Sequence, residues 1–427
     1  MKNKPVVICV DDEKFILDTL LSQLRRCFGD AYMYEFAESG EEAVKLITEL
    51  EEDGQEVRLV ISDQIMPGMK GDELLTHINE KNKETIKILL TGQASLDSAI
   101  NAVNNADLFR YMTKPWQESD LLLTVDKGLK QYSLKSEILE QMKIFSCFVP
   151  RQFFDALSIN SIQDIKLGKS VERKMAIMFS DIRDFTTKSE LMTPKENFEF
   201  INSYLSYTEH NISKNNGFID KYIGDAIMAL FYTEQEALQA AIEMFVSLGK
   251  FNQDFSHKPF TPVNIGIGLH TGNLMLGIVG AASRLQTSVF SNSVNVSSRL
   301  ESLTKYYGSE IIVSESFYEA LGGAKDNYQF RFLGKVMLKG KTDYTSIFGV
   351  LDPRLGPKST LKIQTKIDFE EGVEHYINAR FVESCLSFKK VIDINPDDKA
   401  AKHYLESASK MITQPLPENW HGILESS

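Results

Sequence analysis

Residues 175–186 read MAIMFSDIRDFT, and the fold of the middle of the chain turns on them. Five mostly apolar residues, Met175 to Phe179, have the composition of a strand buried on both faces, and Asp181 stands where that strand gives out. A buried strand is a rigid base, the setting from which carboxylates hold a metal and a phosphate chain. Downstream, FIDKYIGDAIMALF, Phe218 to Phe231, sets Gly224-Asp225 between two apolar segments, the pattern of a strand-turn-strand with a second carboxylate at its tip. Two carboxylates delivered in this way suggest a two-metal site.

Around this core the chain runs to 427 residues, more than one hydrophobic core serves, so two or three domains are expected. With 43% hydrophobic and 25% charged residues it reads as globular, not disordered. A net charge of −12 argues against nucleic-acid or anionic-membrane partners, which select basic patches. No apolar run reaches the length of a membrane span, and MKNKPVVICVDD passes directly into a strand and an acidic pair, so a cytoplasmic protein is expected. Cys9, Cys27, Cys147 and Cys385 are scattered without metal-ligand spacing and read as reduced structural thiols.

Residues 1–126 alternate apolar strands (PVVICV, YMYEFA, RLVIS, IKILLT, LFRYMT) with helical segments such as FILDTLLSQLRRCF and LDSAINAVNN, which predicts a doubly wound parallel, flavodoxin-like sheet. Working residues of such sheets lie beyond the carboxyl ends of the strands, and those ends carry Asp11-Asp12, Asp63, Thr91 and Lys114-Pro115. The constellation, with DQIMPGMKG and TKPW, resembles the receiver domain of bacterial response regulators. The resemblance implies phosphorylation of Asp63 by a histidine kinase as phosphodonor, and one Mg²⁺ held by Asp12 and Asp63 with Asp11 assisting. It also implies phosphoryl contacts from Thr91 and Lys114, a switch role for Tyr111, and a cis Lys114-Pro115 bond. A carboxylate nucleophile does need a hard cation and an ammonium to neutralise incoming phosphoryl charge.

Residues 127–168 form a helical, coiled-coil-like connector in this reading, since apolar residues continue at helical spacing beyond the receiver's last helix and Pro150 can open a new helix. A plain amphipathic spacer is the alternative.

Residues 169–352 follow a strand, helix, hairpin, helix, strand-pair and helix order, the strand pair being VNIGIGLHTG with NLMLGIVG. That order predicts an α+β, ferredoxin-like antiparallel sheet with helices on one face. FSDIRDFT, KYIGDAIMA, SVNVSSR and LKGK closely resemble the motifs of class III nucleotidyl cyclases. A diguanylate cyclase is disfavoured, because Gly322-Gly323-Ala324 lies too far along the chain to be that family's hairpin.

The resemblance implies that Asp181, Asp225 and the carbonyl of Ile182 bind two Mg²⁺ or Mn²⁺ ions. It assigns Arg299 to the α-phosphate, Asn295 to the ribose and Lys339 to the terminal phosphates. Lys221 and Ser288 would read the base, and a lysine donor suits N1 of adenine, so the expected substrate is ATP and the product cyclic AMP. Serine can donate or accept, which leaves a guanylate cyclase as an alternative; a non-catalytic phospho-switch scaffold is another. In the family the metal carboxylates and the base and transition-state residues of one site come from different subunits, which implies a head-to-tail homodimer. Phe290-Ser291-Asn292 departs from the family's usual apolar residue, glycine and acid or amide, a serine at a tight turn into a helix being tolerable as an N-cap.

Residues 353–366 read as a Pro/Gly linker, and 367–412, with NPDD between helical segments, resemble about one and a half tetratricopeptide repeats that pack on a neighbouring domain or bind a peptide. Residues 413–427 are a Pro-containing tail with Trp420.

Overall fold

The computed structural model describes residues 4–92, 106–159, 164–258, 262–281, 284–337, 344–416 and 420–424, and of residues 145–148 the backbone alone. It divides into two compact units, Met1–Phe148 and Val149–Ser427. The division falls inside the expected connector.

In the first unit, β1 (Val6–Val10), β2 (Met33–Ala37), β3 (Val57–Asp63), β4 (Ile86–Thr91) and β5 (Arg110–Thr113) form one sheet in the order β2-β1-β3-β4-β5. All four pairings are parallel. Alternation along the strands separates two cores. Val6, Ile8 and Val10 pack with Ala43, Ile47, Leu74 and Ile78, while Val7 and Cys9 pack with Leu17, Leu20, Leu24, Leu121 and Val125. Helices on both faces explain why these strands are apolar without a polar side. The expected helix over LDSAINAVNN lies outside the described residues. A single helix, Glu118–Phe148, closes the unit and continues through the first part of the connector. Beyond the core of this sheet it leaves Leu134, Ile138, Leu139 and Met142 about half exposed. Pro150 then caps a second helix, Arg151–Ala156, in the second unit.

The second unit is built on an eight-stranded sheet. Its strands are β6 (Ser170–Ile182), β7 (Phe218–Ile223), β8 (Ala226–Phe231), β9 (Ile265–Ala281), β10 (Arg284–Phe290), β11 (Ile311–Ser314), β12 (Gln329–Met337) and β13 (Tyr344–Leu351). Their order is β12-β13-β11-β9-β6-β8-β7, with β10 paired to β9. Three expectations are corrected. The anticipated strand pair is one strand: β9 runs unbroken for 17 residues, because Thr271-Gly272-Asn273 stays extended opposite Ala176, Met175 and Lys174. Its hairpin partner is β10. The sheet is also not wholly antiparallel, since β9 and β11 run parallel over Ile267–Leu269 and Ile311–Val313, a pairing made possible by the crossover helix Asn292–Tyr307.

Helices, thirdly, cover both faces. On one, Ala176 and Met178 meet Phe200, Tyr204, Leu238 and Phe251 from helices Pro194–Lys214 and Glu234–Asp254. On the other, Met175, Ile177 and Phe179 meet Phe153 and Ala156. Further along that face Ile312, Leu333 and Ile347 meet Val296 and Leu300 of the crossover helix.

The same core takes in the chain's C-terminal helices, Lys366–Ile377, Phe381–Ile394 and Lys399–Thr413, through Phe369, Phe388, Val391 and Tyr404. Residues 353–366, read as a linker, are instead a helical turn and the helix Pro357–Gln364, fastened by Lys362 Nζ to the Gly308 carbonyl at 2.6 Å and to Glu310 at 2.8 Å. Deep in this layer Arg331 pairs with Asp398 at 2.6 Å and lies over the Phe369 ring. The tail returns to the same layer: Trp420 Nε1 donates to the Ile377 carbonyl and Leu424 is buried.

Candidate functional site

Two polar sites rise from the two sheets, and each can be treated by itself. In the first unit Asp63 ends β3 and Thr91 ends β4, both buried, while Asp11-Asp12 follow β1 and Lys114 follows β5. Oxygens of Asp11, Asp12 and Asp63 all lie within 4.8 Å of one another. Lys114 Nζ stands 2.6 Å from Asp11 Oδ2 and 2.6 Å from Asp63 Oδ1. Burial pushes the Asp11 carboxyl up and Lys114 partly offsets this, while the neighbouring Asp63 adds to the rise. Burial alone would lower the Lys114 ammonium, but its bonds to the two carboxylates outweigh that and raise it. Three carboxylates gathered at strand ends are the oxygen donor set a hard divalent cation takes. Tyr111, on β5, is half exposed, and the Lys114-Pro115 bond is cis.

In the second unit β6 delivers Asp181 and Ile182 at its C-terminal end, and the β7–β8 turn delivers Asp225, helped by Gly224 at φ +65°. The two carboxylates meet. Burial, and then contact with the Asp181 carboxylate, pushes Asp225 up to about 7. Asp225 Oδ2 is enclosed without a hydrogen-bond partner among the described residues. A half-buried pair of carboxylates in contact, one oxygen of which has no partner among the described residues, is a place that favours cations, and its donors fit Mg²⁺ or Mn²⁺.

Asn295 and Arg299 lie four apart on the crossover helix, Asn295 exposed and Arg299 half buried, with Arg299 Nη1 unpartnered among the described residues. Ser291 caps this helix, accepting from the Ser293 N–H at 3.0 Å. Lys221 sits on β7 and half-buried Ser288 on β10 opposite Gly277. Among the described residues no hydrogen bond or ion pair joins Lys221, Ser288, Asn295 or Arg299 to Asp181 or Asp225, nor Lys221 to Ser288. Lys339 lies outside the described residues. Gly322-Gly323-Ala324 forms a 3₁₀ turn and no hairpin.

One connection went unread in the sequence. Arg183, two residues after Asp181, reaches the crossover helix at Glu301, 3.4 Å away, and at Thr304. Burial pushes Glu301 up to about 7; Arg183 opposes this, and Asp181 and Asp225 reinforce it. The helix can approach so closely because β9 is glycine there: a Cβ on Gly268 would lie 2.3 Å from the Glu301 nitrogen, and one on Gly266 2.2 Å from Arg183 Nη2. Ser297 Oγ donates toward the Ile177 and Gly268 carbonyls, both at 3.0 Å, tying the helix to β6 and β9. The signal was available in Gly266-x-Gly268, two small residues on one strand face.

Residues 7–126 match the response regulator receiver domain family, and residues 169–349 match the adenylate and guanylate cyclase catalytic domain family. The chain is 40% identical over 222 residues to an adenylate cyclase of Anabaena cylindrica, covering 50% of this chain and 44% of that protein. It is 34% identical over 269 residues to the terminal-differentiation specific adenylate cyclase of Dictyostelium discoideum, covering 62% of this chain and 13% of that one. Among solved structures it is similar to the adenylyl cyclase CyaB from P. aeruginosa, at 29% identity and a TM-score of 0.39, over 43% of this chain and 96% of that one. The chain thus spans less than half the length of both curated relatives.

Proposed function

We propose, for a chain in which a receiver domain precedes a class III adenylate/guanylate cyclase catalytic domain, that it converts ATP to 3′,5′-cyclic AMP and pyrophosphate under the control of phosphorylation at Asp63. The observation that carries the reading is the meeting of Asp181 and Asp225, with Asp225 pushed up to about 7. Asp181, Asp225 and the Ile182 carbonyl would hold two divalent cations, whose chemistry is to acidify the ribose 3′-hydroxyl and to neutralise the triphosphate. Arg299, free at Nη1, would balance charge growing on the α-phosphate. Asn295, one helical turn away, would orient the ribose, and Lys339 would meet the terminal phosphates as a point charge.

Lys221 would donate to N1 of adenine, with Ser288 facing the exocyclic amine; the two similar proteins named adenylate cyclases support this choice of base. Ser288, able to donate as well as accept, is the feature that favours guanine as the second reading. With Asn295 and Arg299 bonded to neither Asp181 nor Asp225 among the described residues, we read each site as shared between the subunits of a head-to-tail homodimer. The exposed apolar residues on the Glu118–Phe148 helix support a paired connector in that dimer.

Asp11, Asp12 and Asp63 would hold one Mg²⁺ in the receiver, and a histidine kinase would be the phosphodonor. We read the three C-terminal helices as a tetratricopeptide-like cover for the crossover helix. Among the described residues no helix is long and apolar enough to cross a membrane, and we place the protein in the cytoplasm without a nucleic-acid partner. Assaying the purified protein with ATP and with GTP, under Mg²⁺ and under Mn²⁺, tests the proposal: cyclic AMP as main product supports it, cyclic GMP as main product favours the second reading, and neither would leave only a scaffold.

A further inference from the structure

Strand β7 contains a bulge. Ile219 pairs with Ala229 and Lys221 with the next residue, Met228, so Asp220 is an extra residue facing no partner of its own. Neighbours in a regular strand point to opposite faces. The bulge cancels that alternation and brings the two side chains together, Asp220 Oδ2 standing 3.2 Å from Lys221 Nζ. The carboxylate is 1% exposed and the lysine side chain 32% exposed. Apart from the Lys221 ammonium, no described group donates to either Asp220 oxygen. Burial pushes the Asp220 carboxyl up, and Lys221 is the counter-charge that lowers it again.

A carboxylate buried with no N–H or O–H donor is costly unless a cation is held beside it. Asp220 therefore fixes where the Lys221 ammonium sits. An ammonium has three donors, so one turned to Asp220 leaves others directed outward. A charged ammonium offers a donor and never an acceptor to the edge of a purine.

We propose that Asp220 is a positioning residue which, acting through Lys221, sets the preference for adenine over guanine. Guanine presents N1–H, which needs an acceptor that an ammonium held by Asp220 cannot be. This inference rests on the reading of Lys221 as the base-reading lysine.

The test uses the full chain and four variants, Asp220→Asn, Asp220→Leu, Lys221→Gln and the double variant Asp220→Asn/Lys221→Gln, with kcat and KM measured for ATP and GTP. Asp220→Asn is expected to keep its melting temperature, because a buried charge balanced by Lys221 alone is replaced by a neutral side chain of the same shape while the partly exposed lysine turns to water. Its ATP-to-GTP ratio of kcat/KM should fall about tenfold, mostly through KM for ATP. In the Lys221→Gln background the Asp220 substitution should add nothing further to that ratio. Asp220→Leu, larger than aspartate but without a polar atom, is an independent second removal of the carboxylate and should reproduce the result, so a poorly folded Asn variant does not end the test. A merely structural Asp220 would alter stability without moving the nucleotide ratio. An unchanged ratio in both Asp220 variants, where Lys221→Gln moves it, overturns this inference and leaves the base-reading role of Lys221 standing; an unchanged ratio in Lys221→Gln overturns both.

Discussion

Arg183 Nη1 stands 3.4 Å from Glu301 Oε1, so the residue two places beyond Asp181, just past β6, is tied to the residue two places beyond Arg299 on the crossover helix. Both side chains are mostly buried, and the bond spans two elements that each carry part of the proposed chemistry.

Breaking that tie on one side should cost stability and turnover together. Arg183→Met strands the Glu301 carboxylate in a buried setting, for which a loss of about 3 kcal/mol is expected in urea unfolding. Arg183→Met/Glu301→Leu should recover much of the stability but not the turnover, since the helix is then packed and no longer located by a charge pair. Full recovery of kcat in the double variant would show that the pair only stabilises.

Asp181→Ala and Asp225→Ala should each abolish nearly all cyclase activity, by about 10³-fold, with the fold retained, because strand-end carboxylates serve the cations more than the packing. Circular dichroism checks the fold and product formation checks the activity. Turnover near that of the unaltered protein in either variant would remove the two-metal reading.

The Asp225 carboxyl lies at about 7 in the fold against an ordinary 3.8, so between these values the folded state keeps a proton that the unfolded chain has lost. Its contribution to stability is full below the ordinary value and is lost as pH rises through about 7. Metal-free protein should therefore become less stable to denaturant from pH 5 to pH 8, a trend that Asp225→Asn should flatten without abolishing, because Glu301 is displaced in the same direction. Cation binding competes with that proton, so Mg²⁺ affinity should strengthen as pH approaches 8. An identical pH trend in Asp225→Asn would count against this origin.

Sharing of sites between subunits predicts rescue by mixing. Asp181→Ala protein combined with Arg299→Ala protein should regain activity, since one site of each heterodimer then holds both intact halves. Inactivity after subunit exchange has been verified by tagged pull-down would contradict the head-to-tail arrangement.

Phosphorylation at Asp63 adds about two negative charges beside Lys114 and Thr91, and acetyl phosphate or beryllofluoride should change the maximal rate while Asp63→Asn does not respond. The control fragment should begin at Val149, because Phe153 and Ala156 are buried beneath Met175 and Ile177 and a later start would open that core. Fragment 149–427 should keep basal activity and lose the response; a response from it would clear the receiver of the switch role.

The parallel sheet, its three strand-end carboxylates and the Asp181–Asp225 pair were legible because they depend on local pattern: apolar runs ending in acids, and Gly224-Asp225 between two strands. What escaped reading depends on partners distant in sequence. Gly272, within Thr271-Gly272-Asn273, reads as a turn, yet its backbone stays extended; a Cβ there would lie 2.2 Å from Ser293 Oγ, so the glycine serves the arriving helix. Arg183 and Glu301 are 118 residues apart, and nothing at either position announces the other. The C-terminal helices declared their amphipathic faces but not what those faces would cover.

That covering layer also bears on how the protein is made. Synthesis runs from the N-terminus at roughly 5–20 residues per second. Val296 and Leu300, on the helix of Asn295 and Arg299, share one core with Phe369, Tyr404 and Leu424. The receiver sheet can be complete while that core still awaits its last contributors. A nascent chain would thus acquire its means of sensing before its means of answering, and a message cut short after residue 352 would yield a helix with half its packing missing.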